Sequence, residues 1–125
     1  FTALYDISYD IAEIKELTPA QETSVNTALK YISENYKEDL SIDAICNKIG
    51  FSKYYFCKLF KQRMGVTIHQ YVNDFRINKA KELLAYTKLS VNSISSNVGF
   101  KSTLTFLRAF ERSVHMTPSE YRDYY

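Results

Sequence analysis

Gly50–Thr67 reads GFSKYYFCKLFKQRMGVT, and Gly99–Thr117, GFKSTLTFLRAFERSVHMT, says nearly the same thing again. Each stretch opens on Gly-Phe and closes on a Thr suited to cap a helix. Each carries two phenylalanines four apart: Phe56 and Phe60, then Phe106 and Phe110. The correspondence runs backwards at a shift of 49, with Leu40-Ser41-Ile42 on Leu89-Ser90-Val91, Ile45 on Ile94 and Ile49 on Val98. One residue added in the turn makes the shift 50, which sets Thr67 on Thr117 and Tyr71 on Tyr121. An internal repeat is stronger evidence of architecture than any single motif.

Outward from the repeat, the chain is rich in helix starts and poor in breakers, with two prolines and three glycines in 125 residues. Thr18-Pro19-Ala20-Gln21 puts Thr at a cap, Pro at the first helical position and Gln where a reciprocal cap needs it; Thr67–Gln70 and Thr117–Glu120 repeat the pattern. Ser41, Ser52, Ser90 and Ser102 are further caps. Between them the apolar period is helical. It predicts helices over about 19–36, 42–49, 53–64, 68–86, 91–98 and 103–113, and a last one from 118. The expected fold is all-α, about seven helices, as two helix-turn-helix subdomains, 19–67 and 87–125, joined by a long linker helix, 68–86. Residues 1–18 read as a linker or interdomain segment. There Leu4, Ile7, Ile11 and Ile14 fit a helical stripe, and Tyr5, Ile7, Tyr9 and Ile11 fit strand alternation equally well.

Each repeat is a short helix, a Gly turn and a longer helix, the plan whose second helix can enter a DNA major groove. Gly50 and Gly99 fall where the first helix must stop, and glycine takes a positive φ there without a Cβ clash. The phenylalanine pairs bury one stripe of the second helix. The opposite stripe carries Lys53, Tyr54, Cys57, Lys58 and Lys61 in the first copy, and Thr103, Leu104, Leu107, Arg108 and Glu111 in the second. A linker helix from Ile68 to Tyr86 would span roughly 28 Å, near the ~34 Å between successive major grooves on one DNA face.

The run from Leu40 to Tyr121 resembles the DNA-binding domain of the AraC/XylS family of bacterial transcription regulators. FCKLFKQRMGVT, QYVNDFRINKAKELL, SISSNVGF and FLRAFERSVHMTPSEYR carry the likeness. The resemblance implies sequence-specific binding to double-stranded DNA, RNA polymerase as a partner, and an upstream sensor or phospho-receiver domain in a longer, cytoplasmic parent. It puts a base reader at Arg108, with Tyr54 and Lys58 on the matching face of the first copy. Lys53, Lys61 and Thr103 suit phosphate contacts, and Ser102 and Thr105 serve as caps or DNA contacts. Arg76, in the linker, is expected to brace the two modules through a salt bridge, with a direct phosphate contact as the alternative. The chain departs from the family pattern in four places. Cys46 and Ser95 stand where Ala is usual, His115 where Gly is usual, and Glu111 where Lys is common. A second outer face bearing Leu104 and Leu107 would be unusually apolar for a groove reader, and it suggests either contact with thymine methyls or a helix that mainly anchors phosphates. It also supports a rival, a helical protein-interaction module that no longer binds DNA.

Charge agrees with a polyanion partner. The net charge is only +2, but residues 1–39 hold −5 and residues 40–125 hold +7. Two cysteines, Cys46 and Cys57, lie inside helical patterns and suit free thiols in a reducing compartment. No apolar run approaches a membrane span. No metal-ligand spacing, Gly-rich phosphate loop or nucleophile–base constellation appears, so neither a cofactor, a metal nor an enzymatic activity is expected.

Overall fold

Seven helices make up residues 16–125, the part of the chain that the computed structural model describes, and no strand occurs among them. The helices are α1 (Pro19–Asn35), α2 (Ile42–Ile49), α3 (Lys53–Met64), α4 (Ile68–Tyr86), α5 (Val91–Asn97), α6 (Thr103–Val114) and α7 (Pro118–Tyr124). The two readings of the lead segment fall on residues 1–15, outside the described residues.

The caps explain the boundaries. Thr18, Thr67 and Thr117 each accept a hydrogen bond from a backbone N–H three residues on, and the side chain of Gln21, Gln70 or Glu120 accepts one back from the cap's own N–H. Ser41, Ser52, Ser90 and Ser102 accept from the N–H three residues on. Each bond satisfies a donor the helix leaves open, worth typically about 1 kcal/mol. At the C-terminal ends, Gly50 (φ 90°) and Gly65 (φ 81°) are left-handed, as is Gly99 (φ 103°) in the turn after α5. His115, the counterpart of Gly65, is left-handed too, with φ 66°. The imidazole stands where the backbone geometry favours glycine.

Two separate apolar clusters hold the helices. Val25, Ala28, Ile32, Ile45, Cys46, Phe56, Leu59, Phe60, Ile68 and Val72 form the first, and Ile77, Ala80, Leu84, Ile94, Val98, Phe100, Phe106, Ala109 and Phe110 form the second. Helix α4 is thus shared: its N-terminal half serves one core and its C-terminal half the other. For this reason it has two buried faces rather than one stripe, Ile68 and Val72 in the first and Ile77, Ala80 and Leu84 in the second, while Tyr71, Phe75 and Leu83 are half-buried. Phe56, Phe60, Phe106 and Phe110 are completely buried. The aromatic packing repeats as well: Phe60 meets Tyr71 edge-on at 5.7 Å, and Phe110 meets Tyr121 at 5.7 Å.

Cys46 and Ser95 take equivalent buried positions on α2 and α5. Burial, with Cys57 and Asp43 adding to it, pushes the Cys46 thiol up. Ser95 is satisfied by donating to the Asn92 carbonyl at 2.9 Å, so its hydroxyl adds no unpaired polar group to the core.

Candidate nucleic-acid interface

Both second helices present the same stripe to solvent. On α3, Tyr54, Lys58 and Lys61 lie at i, i+4 and i+7, opposite the buried Phe56, Leu59 and Phe60. Tyr54 is 76% exposed, and the Lys58 ammonium sits 5.5 Å from its ring centroid. Lys53 is exposed in the first turn, 3.8 Å from Asp43. That pair is solvent-exposed on both sides and holds Lys53 only weakly. From Lys53 to Met64 the helix carries Lys53, Lys58, Lys61 and Arg63 and no carboxylate.

Two contacts fasten α3 to α1 and fix the stripe's direction. Gln21 Nε2 donates to Tyr55 Oη at 2.7 Å, and Arg63 Nε donates to Glu22 Oε1 at 2.7 Å. Arg63 is thereby turned from the exposed stripe toward α1.

On α6 the equivalent positions are Leu104, Arg108 and Glu111. Leu104 is 56% exposed, and Arg108 and Glu111 are exposed. The other candidates are tied into the fold. Ser102 caps the helix, accepting from Thr105 N at 3.1 Å, and its hydroxyl lies 2.9 Å from that of Thr105. Thr103 is half-buried; its hydroxyl donates to Asn92 Oδ1 at 2.9 Å and lies 3.4 Å from Ser95 Oγ. It bridges α5 and α6, leaving less of it free for a phosphate than the pattern suggested.

Three expectations are corrected. Leu107 and its counterpart Cys57 are not on the outer stripe; both are half-buried and pack against their cores. They sit on the flank of the helix, where a repeat of 3.6 brings a residue to the edge of the buried face. The second outer face therefore has one exposed leucine rather than two. Arg76 does brace the two halves, but through carbonyls rather than a carboxylate. Its Nε donates to Tyr36 O and its Nη2 to Glu38 O, both at 2.8 Å. Burial lowers its pKa, with Asp39 pulling the other way.

The sequence reading passed over Lys101. It is exposed in the turn before α6, 3.5 Å from Asp39, with both side chains largely in solvent. A basic residue directly before a helix cap was the available signal.

Among the described residues no group of three or more His, Cys, Asp or Glu could hold a metal ion, and no helix is long and apolar enough to cross a membrane.

Comparison with known proteins agrees with this arrangement. A helix-turn-helix domain family matches residues 45–124. The regulatory protein PocR of Salmonella typhimurium is 35% identical over 101 residues, covering 81% of this chain and 33% of PocR. Among solved structures, the C-terminal domain of AraT, a response regulator from Geobacillus stearothermophilus, superposes with a TM-score of 0.77 at 25% identity, covering 89% of both chains. A transcriptional regulator with an AraC-type DNA-binding domain from Chromobacterium violaceum gives 0.76 at 29% identity, covering 85% of this chain and 95% of that one. The chain spans a third of PocR's length and 41% of the Msm operon regulatory protein of Streptococcus mutans. On the family match, the identity to PocR and the duplicated helix pair, the chain belongs to the AraC-type helix-turn-helix family of DNA-binding domains of transcription regulators.

Proposed function

We propose that the chain is the sequence-specific DNA-reading part of a bacterial transcription regulator, inserting α3 and α6 into successive major grooves on one face of the duplex. One observation carries the reading: two equivalent helices expose the same stripe, and both are built onto the single helix α4. The helix-turn-helix units, residues 19–67 and 87–125, are the two reading heads, and 68–86 is the bar between them. The asymmetry of the stripes suggests a division of labour. Lys53, Lys58 and Lys61 on the acid-free α3 supply phosphate attraction, with Tyr54 reaching base edges. Arg108 reads guanine on α6, and Leu104, one turn earlier, meets an adjacent thymine methyl. Ser102, Thr103 and Thr105 hold the start of α6 in place, and the exposed Ser102 and Thr105 remain within reach of the backbone. Lys101 joins them as a phosphate contact.

In the parent, a sensor or receiver domain would precede this part, as the likeness to a response regulator's C-terminal domain suggests. RNA polymerase in the cytoplasm would be its partner. The protein-interaction rival rested on Leu104, Leu107 and the modest net charge of +2; Leu107 is half-buried, which leaves it Leu104 and the charge.

The test compares two substitutions on a DNA site selected from random sequence. Arg108→Ala should weaken binding by about 5- to 150-fold and relax choice at one base pair. Lys58→Ala should weaken all sequences alike and reduce the salt slope by about 1. Equal effects of Arg108→Ala on selected and random DNA would remove Arg108 from base reading.

A further inference from the structure

Gly50 and Gly99 hold the same place in the repeat, but their surroundings differ. Around Gly50 a Cβ would meet nothing within 4 Å. At Gly99 it would overlap the Tyr36 carbonyl oxygen and come 2.9 Å from Arg76 Nε and 3.1 Å from Lys37 Cα. The turn of the second module is thus seated against the end of α1, which belongs to the first.

Arg76 closes this seat. Its two bonds to Tyr36 O and Glu38 O tie the middle of α4 to the segment after α1, and its guanidinium carbon lies 5.9 Å from the Phe100 ring centroid. The Tyr36 ring lies 5.1 Å from that of Phe75 on α4, tilted at 53°, and packs against the second core, although Tyr36 is the C-terminal cap of α1. The substantial helix–helix contacts otherwise run within one half or through α4. Beside the strap lies a cleft of about 330 Å³ lined from both halves, with Ile42 and Val72 on one side and Phe100 and Thr105 on the other. Across that cleft the two heads meet through the exposed Lys101–Asp39 pair at 3.5 Å, which holds them only weakly.

The geometry points to Arg76, seated between the Tyr36 and Glu38 carbonyls and Gly99, as the positioning residue that sets the spacing between the two DNA half-sites this protein accepts. The inference rests on the two-groove reading. A continuous helix fixes the distance between its ends, but the angle of each head about that helix needs a second point of attachment, and the Arg76 strap supplies it. Inserting one base pair between half-sites moves one of them by about 3.4 Å and turns it by roughly 35°. A strapped protein cannot follow that turn, and an unstrapped one can.

The experiment measures affinity of the 125-residue chain and its variants for duplexes carrying both selected half-sites at the selected spacing and at one or two base pairs more or less. Wild type should prefer the selected spacing over its neighbours by about tenfold or more, the scale of one mismatched base pair. Arg76→Ala should flatten that preference to about threefold or less, while choice of bases within each half-site stays unchanged. Arg76→Lys, which keeps the stem and one charged donor, should restore part of it, and it serves as the readout if Arg76→Ala does not fold. A spacing preference as sharp in both variants as in wild type, with only overall affinity lowered, would overturn the inference and leave the two-groove reading standing. A wild type indifferent to spacing, or content with one half-site, would overturn that reading and the inference with it.

Discussion

Gly99→Ala is expected to destabilise the protein by about 2–5 kcal/mol, and Gly50→Ala by only about 1–2 kcal/mol. Both glycines have left-handed φ, 103° and 90°, so alanine at either place carries the same backbone cost, roughly 1–2 kcal/mol. The difference comes from space. At Gly99 the new methyl meets a backbone carbonyl and an arginine already held by two hydrogen bonds, and backbone cannot yield as the end of a flexible side chain can. Forcing a methyl group into a packed site costs a further ~1–3 kcal/mol. Against a typical total of roughly 5–15 kcal/mol, the larger figure is a substantial part of the whole. Urea unfolding of the two variants beside wild type checks this, and equal losses would mean that the module junction is not tightly packed.

Phe110→Ala is expected to cost about 3–5 kcal/mol, the range for removing a fully buried aromatic ring. Phe110 is completely buried; its ring lies 5.7 Å from Phe106 and 5.7 Å from Tyr121, so it joins α6 to α7 within the core cluster that also holds Ile77, Ala80 and Leu84 of α4. The loss should also be local. The second core shares α4 with the first and takes Tyr36 from the end of α1, so hydrogen exchange should accelerate most across α5, α6 and α7 while α2, α3 and the body of α1 keep their protection. Affinity for DNA should fall with it, because α6 loses the floor that aims Arg108. Phe60→Ala should show the mirror pattern, with α1–α3 loosened and α5–α7 protected. Uniform loss of protection in either variant would mean that the two halves fold as one unit.

Much of this architecture can be read in the sequence because it is local. A Thr or Ser at a cap, a Gln or Glu three residues on and a glycine where φ turns positive are each decided within one turn of helix. That is why α2, α3 and α4 fall where the pattern puts them; at His115 the sequence leaves the turn open, and the structure makes it left-handed. The repeat adds what local signals lack, namely which stripe of α3 corresponds to which stripe of α6.

What the sequence hides has three physical origins. Arg76 bonds to backbone carbonyls, and a carbonyl has no residue type to betray it; an arginine in the linker helix reads naturally as half of a salt bridge. Cys57 and Leu107 sit at the edge of the buried stripe, where helical periodicity alone does not separate half-buried from exposed. Thr103 has a hydroxyl suited to phosphate, but its partners, Asn92 and Ser95, lie on another helix and become neighbours only in the fold. The different settings of Gly50 and Gly99 are hidden for the same reason, since the repeat makes them look alike and only the packing of α1 against the second turn separates them.

The central claim is that this one chain reads two major grooves at once. Hydroxyl-radical footprinting of the 125-residue chain on a duplex selected from random sequence, with affinity measured across a salt series, tests it most directly. The expected result is two contacted segments on one face of the DNA, about 34 Å apart, and a log–log salt slope of several units. A single protected segment, or no binding at low salt by a folded protein, would contradict it.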